Sequence, residues 1–173
     1  IAITTNGILY PPMAQQLKEA GLNRINISLD TLSDEKYRFI TRRGELKDAL
    51  NAIFTALEMD MHPVKINTVI IRGFNDGEIM DFARMAYEYP LHIRFIEFMP
   101  IGDLHFWKEQ RMISVDEVKK QIESEYKLEA ARTIKGNGPA QYYKMAGGKG
   151  SIGFITPMSN HFCGLCNRIR MTA

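Results

Sequence analysis

The sequence predicts an α/β fold: parallel strands joined by helical crossovers, curving toward a partial (β/α) barrel, then a small antiparallel region. Three observations lead there. Strand-like and helix-like stretches alternate up to Pro100, the pattern that a parallel sheet with right-handed crossovers leaves in a chain. The strands themselves alternate polar and apolar residues, so one face of the sheet meets something other than packed helices. Beyond residue 100 the character changes to short strand candidates separated by the Gly-rich loops "KGNGPA" and "AGGKG".

The elements follow in order. "IAITTNG" reads as a strand closed by an Asn-Gly turn, and "PPMAQQLKEAG" opens on Pro and closes on Gly, as helices do. "LNRINISLD" alternates as a strand. "SDEKYRFI" and "GELKDALNAIFTALEMDM" are helical, the first with Ser33 as N-cap. "PVKINTVIIRG" is a strand, "NDGEIMDFARMAYEY" a helix and "LHIRFIEFMP" a strand. A long connection, "IGDLHFWKEQRMI", leads to the helix "SVDEVKKQIESEY", which opens with a capping signal. "KLEAA", "QYYKM", "SIGFIT" and "NRIRMT" are short strand candidates. The division expected is a barrel-like core over 1–105 and a C-terminal region over 106–173. Both ends read as strand interior, so the chain is expected to be a segment of a longer protein.

Of the 173 residues 45% are hydrophobic and 24% charged, enough for a real core. The net charge of +2 supplies no global basic field, so neither nucleic acid nor an anionic membrane is expected as partner. No apolar run approaches the ~20 residues that span a bilayer. The two cysteines are too close together to staple a fold, which points to a reducing, intracellular setting.

Alternation assigns the strand faces. Ile25, Ile27 and Leu29 oppose Asn26, Ser28 and Asp30; Val64, Ile66 and Ile70 oppose Lys65 and Asn67. Ile93 and Phe95 oppose His92 and Arg94, and Ile3 opposes Thr4 and Asn6. Helices outside and polar side chains inside a curved sheet reconcile this pattern with parallel strands. A lysine and an arginine in such an interior need an anionic partner, either a bound ligand or an internal salt bridge. In barrels of this kind ligands meet the C-terminal strand ends, here Thr5 and Asn6, Asp30, Arg72 and Gly73, and Met99.

The tail "SNHFCGLCNRIRMTA" holds Cys163 and Cys166, spaced to share one metal or cluster. Spacing alone leaves three readings open: half a zinc site, a redox dithiol, or part of an iron–sulfur cluster. Arg168 and Arg170, two apart in a strand, point the same way and form a fork for phosphate or carboxylate.

"ITTNG", "RINISLDTL", "KINTVIIRGFND", "IRFIEFMPIG", "GPAQYY" and "FITPMSNHFCGLCNRIRMTA" together resemble, in order and over essentially the whole chain, the family of molybdenum cofactor biosynthesis protein A, the radical S-adenosylmethionine GTP 3′,8-cyclases. The resemblance implies a partial TIM-like barrel, the radical core without its N-terminal strands, followed by a region that carries a second [4Fe–4S] cluster. It implies that Cys163 and Cys166 are metal ligands, with a third cysteine beyond this sequence. It implies GTP contacts from Thr4, Lys65, Arg94, Arg168, Ile169 and Arg170, with Arg168 and Arg170 as the catalytic pair, and S-adenosyl-L-methionine contacts from Ser28 and Met99. The implied reaction is a lyase-class cyclisation of GTP to 3′,8-cyclo-7,8-dihydro-GTP, begun by a 5′-deoxyadenosyl radical that takes hydrogen from C3′ of the ribose. A cyclic pyranopterin monophosphate synthase then takes the product. A homodimer, cytoplasmic in a bacterium, is implied for the full-length protein. Rival readings are another radical enzyme with an auxiliary cluster and a non-catalytic α/β module with a structural metal.

The family's Cys-x3-Cys-x2-Cys motif for the first cluster is absent from this sequence, as is its early Gly-Gly-Glu strand end. The chain by itself is therefore expected to cleave no S-adenosylmethionine. Anaerobic incubation with a reductant, followed by chromatography for 5′-deoxyadenosine, checks this; product above background refutes it.

Overall fold

The computed structural model describes residues 1–99, 109–131 and 139–159. Seven strands, β1 (Ala2–Thr5), β2 (Arg24–Ser28), β3 (Val64–Ile70), β4 (Leu91–Glu97), β5 (Leu128–Ala130), β6 (Gln141–Met145) and β7 (Ser151–Ile155), form one sheet in the order β1-β2-β3-β4-β7-β6-β5. Among the described residues five α-helices accompany them: α1 (Tyr10–Glu19), α2 (Asp34–Thr41), α3 (Leu46–Glu58), α4 (Ile79–Glu88) and α5 (Val115–Glu123). The first four strands are parallel neighbours with helices in each crossover, as the alternation predicts. Among the described residues the sheet has two edges, β1 and β5, and no pairing that closes it into a barrel.

One face of the sheet forms the core. Ile25, Ile27, Val64, Ile66, Leu91, Ile93, Ile152 and Phe154 are buried there with Phe82, Ala83 and Ala86 of α4 and Ala49, Ala52, Ile53 and Ala56 of α3. Small residues on α3 let its backbone lie close: a Cβ at Gly7 would stand 2.7 Å from the Cβ of Ala52. That face matches the apolar set read from the alternation.

Three of the four expected tail strands form, and they extend the main sheet. β6 pairs antiparallel with β5 and β7, but β7 lies parallel beside β4. The physical reason is apolar: Ile152 and Phe154 are buried in register with Ile93 and Phe95. The expected boundary at 105/106 and the strand "NRIRMT" lie outside the described residues.

The helix starts differ in how they are capped. Ser114 caps α5: its hydroxyl oxygen accepts from the backbone N–H of Glu117 at 3.3 Å, and its hydroxyl donates to the Glu117 carboxylate. Ser33 has the extended backbone of an N-cap, but its side chain makes no cap bond. The loop before it is held instead by Glu78, whose carboxylate accepts from the Thr31 hydroxyl, the Leu32 N–H at 2.6 Å and Lys36 Nζ at 2.6 Å. Asn75 beside it, fully buried, donates to the carbonyls of Asp30 (2.6 Å) and Val69 (2.7 Å) and accepts from the Ile71 N–H. These two side chains lock the C-terminal ends of β2 and β3 to each other. Among the described residues no helix is long and apolar enough to cross a membrane.

Replacing Asn75 by Ala removes three side-chain hydrogen bonds to the backbone and deprives two carbonyls and the Ile71 N–H of them. Unfolding stability is expected to fall by roughly 3 kcal/mol, read as the shift of the urea midpoint.

Candidate functional site

The other face of the sheet carries the polar residues, and strand register aligns them in two rows. Thr4, Asn26, Lys65, His92 and Ser151 stand side by side on β1, β2, β3, β4 and β7. One step toward the C-terminal ends, Ser28, Asn67, Arg94 and Gly153 do the same, with Tyr142 of β6 opposite Gly153. From β1 to β7 no strand residue on this face is acidic.

The rows are stitched together. Asn26 Nδ2 donates to Thr4 Oγ1 at 3.0 Å, and Arg94 Nη2 donates to Asn26 Oδ1 at 3.0 Å. An asparagine on β2 thus relays position from the edge strand β1 to the arginine on β4. Lys65 Nζ lies 5.4 Å from the ring centre of Tyr142. Their strands are three spacings apart, about 14 Å along a ladder, so both long side chains lean across the face to meet. A cation over an aromatic face is attracted to it, and Tyr142 also meets His92 edge-on at 6.1 Å. Gly153 makes room for this: a Cβ there would stand 2.8 Å from Tyr142 Cε1 and 3.2 Å from Arg94 Cγ.

Electrostatics follow from the placement. Lys65 is 8% exposed and Arg94 7%, so both charges act through a poorly screening medium. His92 responds: its pKa is lowered from 6.5 to about 4, by burial first, then by Lys65 and Arg94, with smaller repulsion from His62 and Lys144. The neutral ring shares a 2.6 Å hydrogen bond between Nδ1 and the buried Ser151 hydroxyl. At the rim, burial raises the pKa of Asp30, opposed by the Val69 N–H that donates to its carboxylate.

Of the residues singled out from sequence, Thr4, Ser28, Lys65 and Arg94 share this face, Thr4 and Ser28 exposed and the two cations buried. Met99 is half-buried two residues past the end of β4. Cys163, Cys166, Arg168, Ile169 and Arg170 lie outside the described residues. The structure adds Asn26, His92, Ser151, Gly153 and Tyr142. Alternation marks Asn26 and His92 as facing this way; Tyr142 and Gly153 join only because β7 docks on β4.

A metal or cofactor would have to suit these groups. Asn67 Oδ1 is buried in the centre of the face and has no hydrogen-bond partner among the described residues. An acceptor so placed suits a ligand that brings its own N–H or O–H donors, as the amine and hydroxyls of a nucleoside cofactor do. Two thiolates at Cys-x-x-Cys spacing suit an iron–sulfur cluster or zinc. Among the described residues no cluster of three His, Cys, Asp or Glu forms a metal site.

Comparison with known proteins bears on this arrangement. Residues 1–86 match the Radical SAM superfamily, and residues 91–173 match Molybdenum Cofactor Synthesis C. A GTP 3′,8-cyclase of Syntrophomonas wolfei is 63% identical over 173 residues, all of this chain and 53% of that one. Its counterpart in Moorella thermoacetica is 54% identical over the same span, again 53% of its length. The chain therefore spans about half the length of the curated relatives it matches. The crystal structure of a radical SAM methyltransferase from Sphaerobacter thermophilus superposes with a TM-score of 0.51 and 21% identity, covering 70% of this chain and 36% of that one. At that identity the likeness concerns the fold alone.

The lowered pKa of His92 has a consequence for stability. Between about 4 and 6.5 the unfolded chain binds a proton at this residue that the folded chain refuses, so stability rises with pH across the window. His92 therefore destabilises the fold progressively as pH falls from 6.5 toward 4. Proton NMR of the imidazole in the folded protein is expected to show a midpoint near 4, and His92→Gln to flatten the urea midpoint against pH across that range.

Proposed function

We propose that this chain, which belongs to the Radical SAM superfamily and is homologous along its whole length to the GTP 3′,8-cyclases, supplies the nucleotide-binding face of an enzyme that cyclises GTP in molybdenum cofactor synthesis. One observation carries the reading: two buried cations, Lys65 and Arg94, stand diagonally on adjacent strands of a face without acidic strand residues, and burial together with their field keeps His92 neutral. Such a face attracts a polyanion.

In this reading Lys65 and Arg94 neutralise the triphosphate, each charged hydrogen bond contributing about 1.5–3 kcal/mol. Arg94 is held through Asn26 and Thr4 before the ligand arrives, so little reorganisation is needed. Thr4 lies at the outer end of that relay and contacts the nucleotide. Arg168 and Arg170, with Ile169 between them, complete the grip from the tail, and Cys163 and Cys166 ligate the auxiliary [4Fe–4S] cluster; these five lie outside the described residues. Ser28 and Met99, at or just past strand ends, hold S-adenosyl-L-methionine. Asn67, with its open acceptor, takes a donor from one of the two nucleosides.

When bound, S-adenosylmethionine at a reduced [4Fe–4S] cluster supplies the radical that starts ring closure. The three cysteines for that first cluster are not in this sequence. What these residues do is bind and orient. They fix the triphosphate at one end so that the ribose and the base are presented together. A homodimeric full-length enzyme passing its product to a cyclic pyranopterin monophosphate synthase completes the proposal.

Lys65→Ala and Arg94→Ala in the full-length protein are each expected to weaken GTP binding by roughly 10- to 100-fold, with guanosine affinity nearly unchanged, by calorimetry. GTP is also expected to raise the His92 midpoint, because its phosphates offset the neighbouring positive charge, and guanosine to leave it in place. Equal losses for GTP and guanosine, or no movement of His92, refute the assignment.

A further inference from the structure

Glu97 ends β4 at a position where the alternation calls for an apolar residue. It shares the core face with Ile93 and Phe95, and it is 3% exposed. It stands beside Ile70, Ile113, Val115 and Val118. A carboxylate among such neighbours is costly unless its oxygens are satisfied. The donors come from the chain leaving β7. The backbone N–H groups of Met158 and Ser159 both donate to Oε2 at 3.0 Å, and the Ser159 hydroxyl donates to Oε1. The tail is thus fastened to the end of the neighbouring strand as soon as β7 stops.

We infer that Glu97 is a positioning residue for the cysteine segment: its buried carboxylate clamps Met158 and Ser159 and so limits where the following thiolates can go. Ser159 precedes Cys163 by four residues, a span of at most ~14 Å when fully extended. An anchor that close removes much of the entropy two thiolates lose when they gather round one cluster. The inference rests on the proposed reading that Cys163 and Cys166 hold a cluster.

The chemistry of the clamp separates positioning from packing. Gln at 97 keeps a carbonyl oxygen for both backbone N–H groups and turns its amide toward the Ser159 oxygen, so it restores the clamp. Leu fills the volume but offers the tail no acceptor, so the Met158 and Ser159 donors must turn to water.

The test uses full-length protein reconstituted anaerobically with iron and sulfide. Alkylation of Cys163 and Cys166 is followed by peptide mass spectrometry, and hydrogen exchange of the β4 amides reports the core. Glu97→Leu is expected to speed alkylation roughly tenfold, the usual scale for losing a group that supports a metal ligand, with β4 still protected. Glu97→Gln is expected to stay close to wild type, and Ser159→Ala, which removes one of the three bonds, to fall between. Wild-type protection in Glu97→Leu overturns the inference; should that variant fail to fold, wild-type protection in Ser159→Ala does so. Cysteines in the wild-type protein that alkylate equally with and without iron overturn the cluster reading itself.

Discussion

Lys65 and Arg94 project from adjacent parallel strands onto one face of the sheet, almost hidden from water. Placing two like charges there opposes folding, and the surrounding residues are arranged to bear it. Asn26 turns its carbonyl oxygen to Arg94 and its amide to Thr4. Tyr142 offers its ring to Lys65, and Gly153 clears the space that the ring occupies. His92, the remaining titratable group in the row, gives up its proton well below neutrality. Each accommodation is cheap in isolation; together they produce a preset positive surface whose shape is fixed by strand register.

Among the described residues two carboxylates, Glu78 and Glu97, are buried, and they work the opposite way. Glu78 is saturated by the Thr31 hydroxyl, the Leu32 N–H and Lys36, and Glu97 by the tail. Both sit at or beyond the C-terminal ends of strands, where backbone groups run out of ladder partners. There a carboxylate takes up orphaned N–H groups, one at Glu78 and two at Glu97, and holds the segment that bears them in a defined place. Cations on the polar face make the surface receptive, while carboxylates at the rim determine which loops surround it.

Period-two alternation made the polar face readable in advance, because a residue that faces away from the core is marked by its neighbours on either side. Thr4, Ser28, Lys65 and Arg94 were all legible in that way. Alternation is silent where both neighbours are apolar or small. "SIGFI" has a single polar neighbour, Ser151 beside Ile152, and none beside Phe154 to declare its inner face, so its parallel docking on β4, and with it the place of Tyr142, emerges only from packing. Glu97 was missed for the converse reason: it violates the alternation, and its donors lie 61 and 62 residues away along the chain. Asn75 and Glu78 sit in a connection that reads as ordinary turn chemistry, and their bonds reach back across more than forty residues to Asp30 and Thr31.

The strand that carries Arg94 also carries Glu97. Three residues apart in an extended chain, they point to opposite faces: the arginine to the polar surface, the carboxylate to the tail leaving β7. β7 in turn is hydrogen-bonded along β4, from His92 opposite Ser151 to Ile96 opposite Ile155. Any shift of β4 along its axis would move the guanidinium and the anchor of the cysteine segment together. A rigid central strand thus fixes the spacing between the cationic surface and the point where the tail departs, which two independently mobile loops could not do.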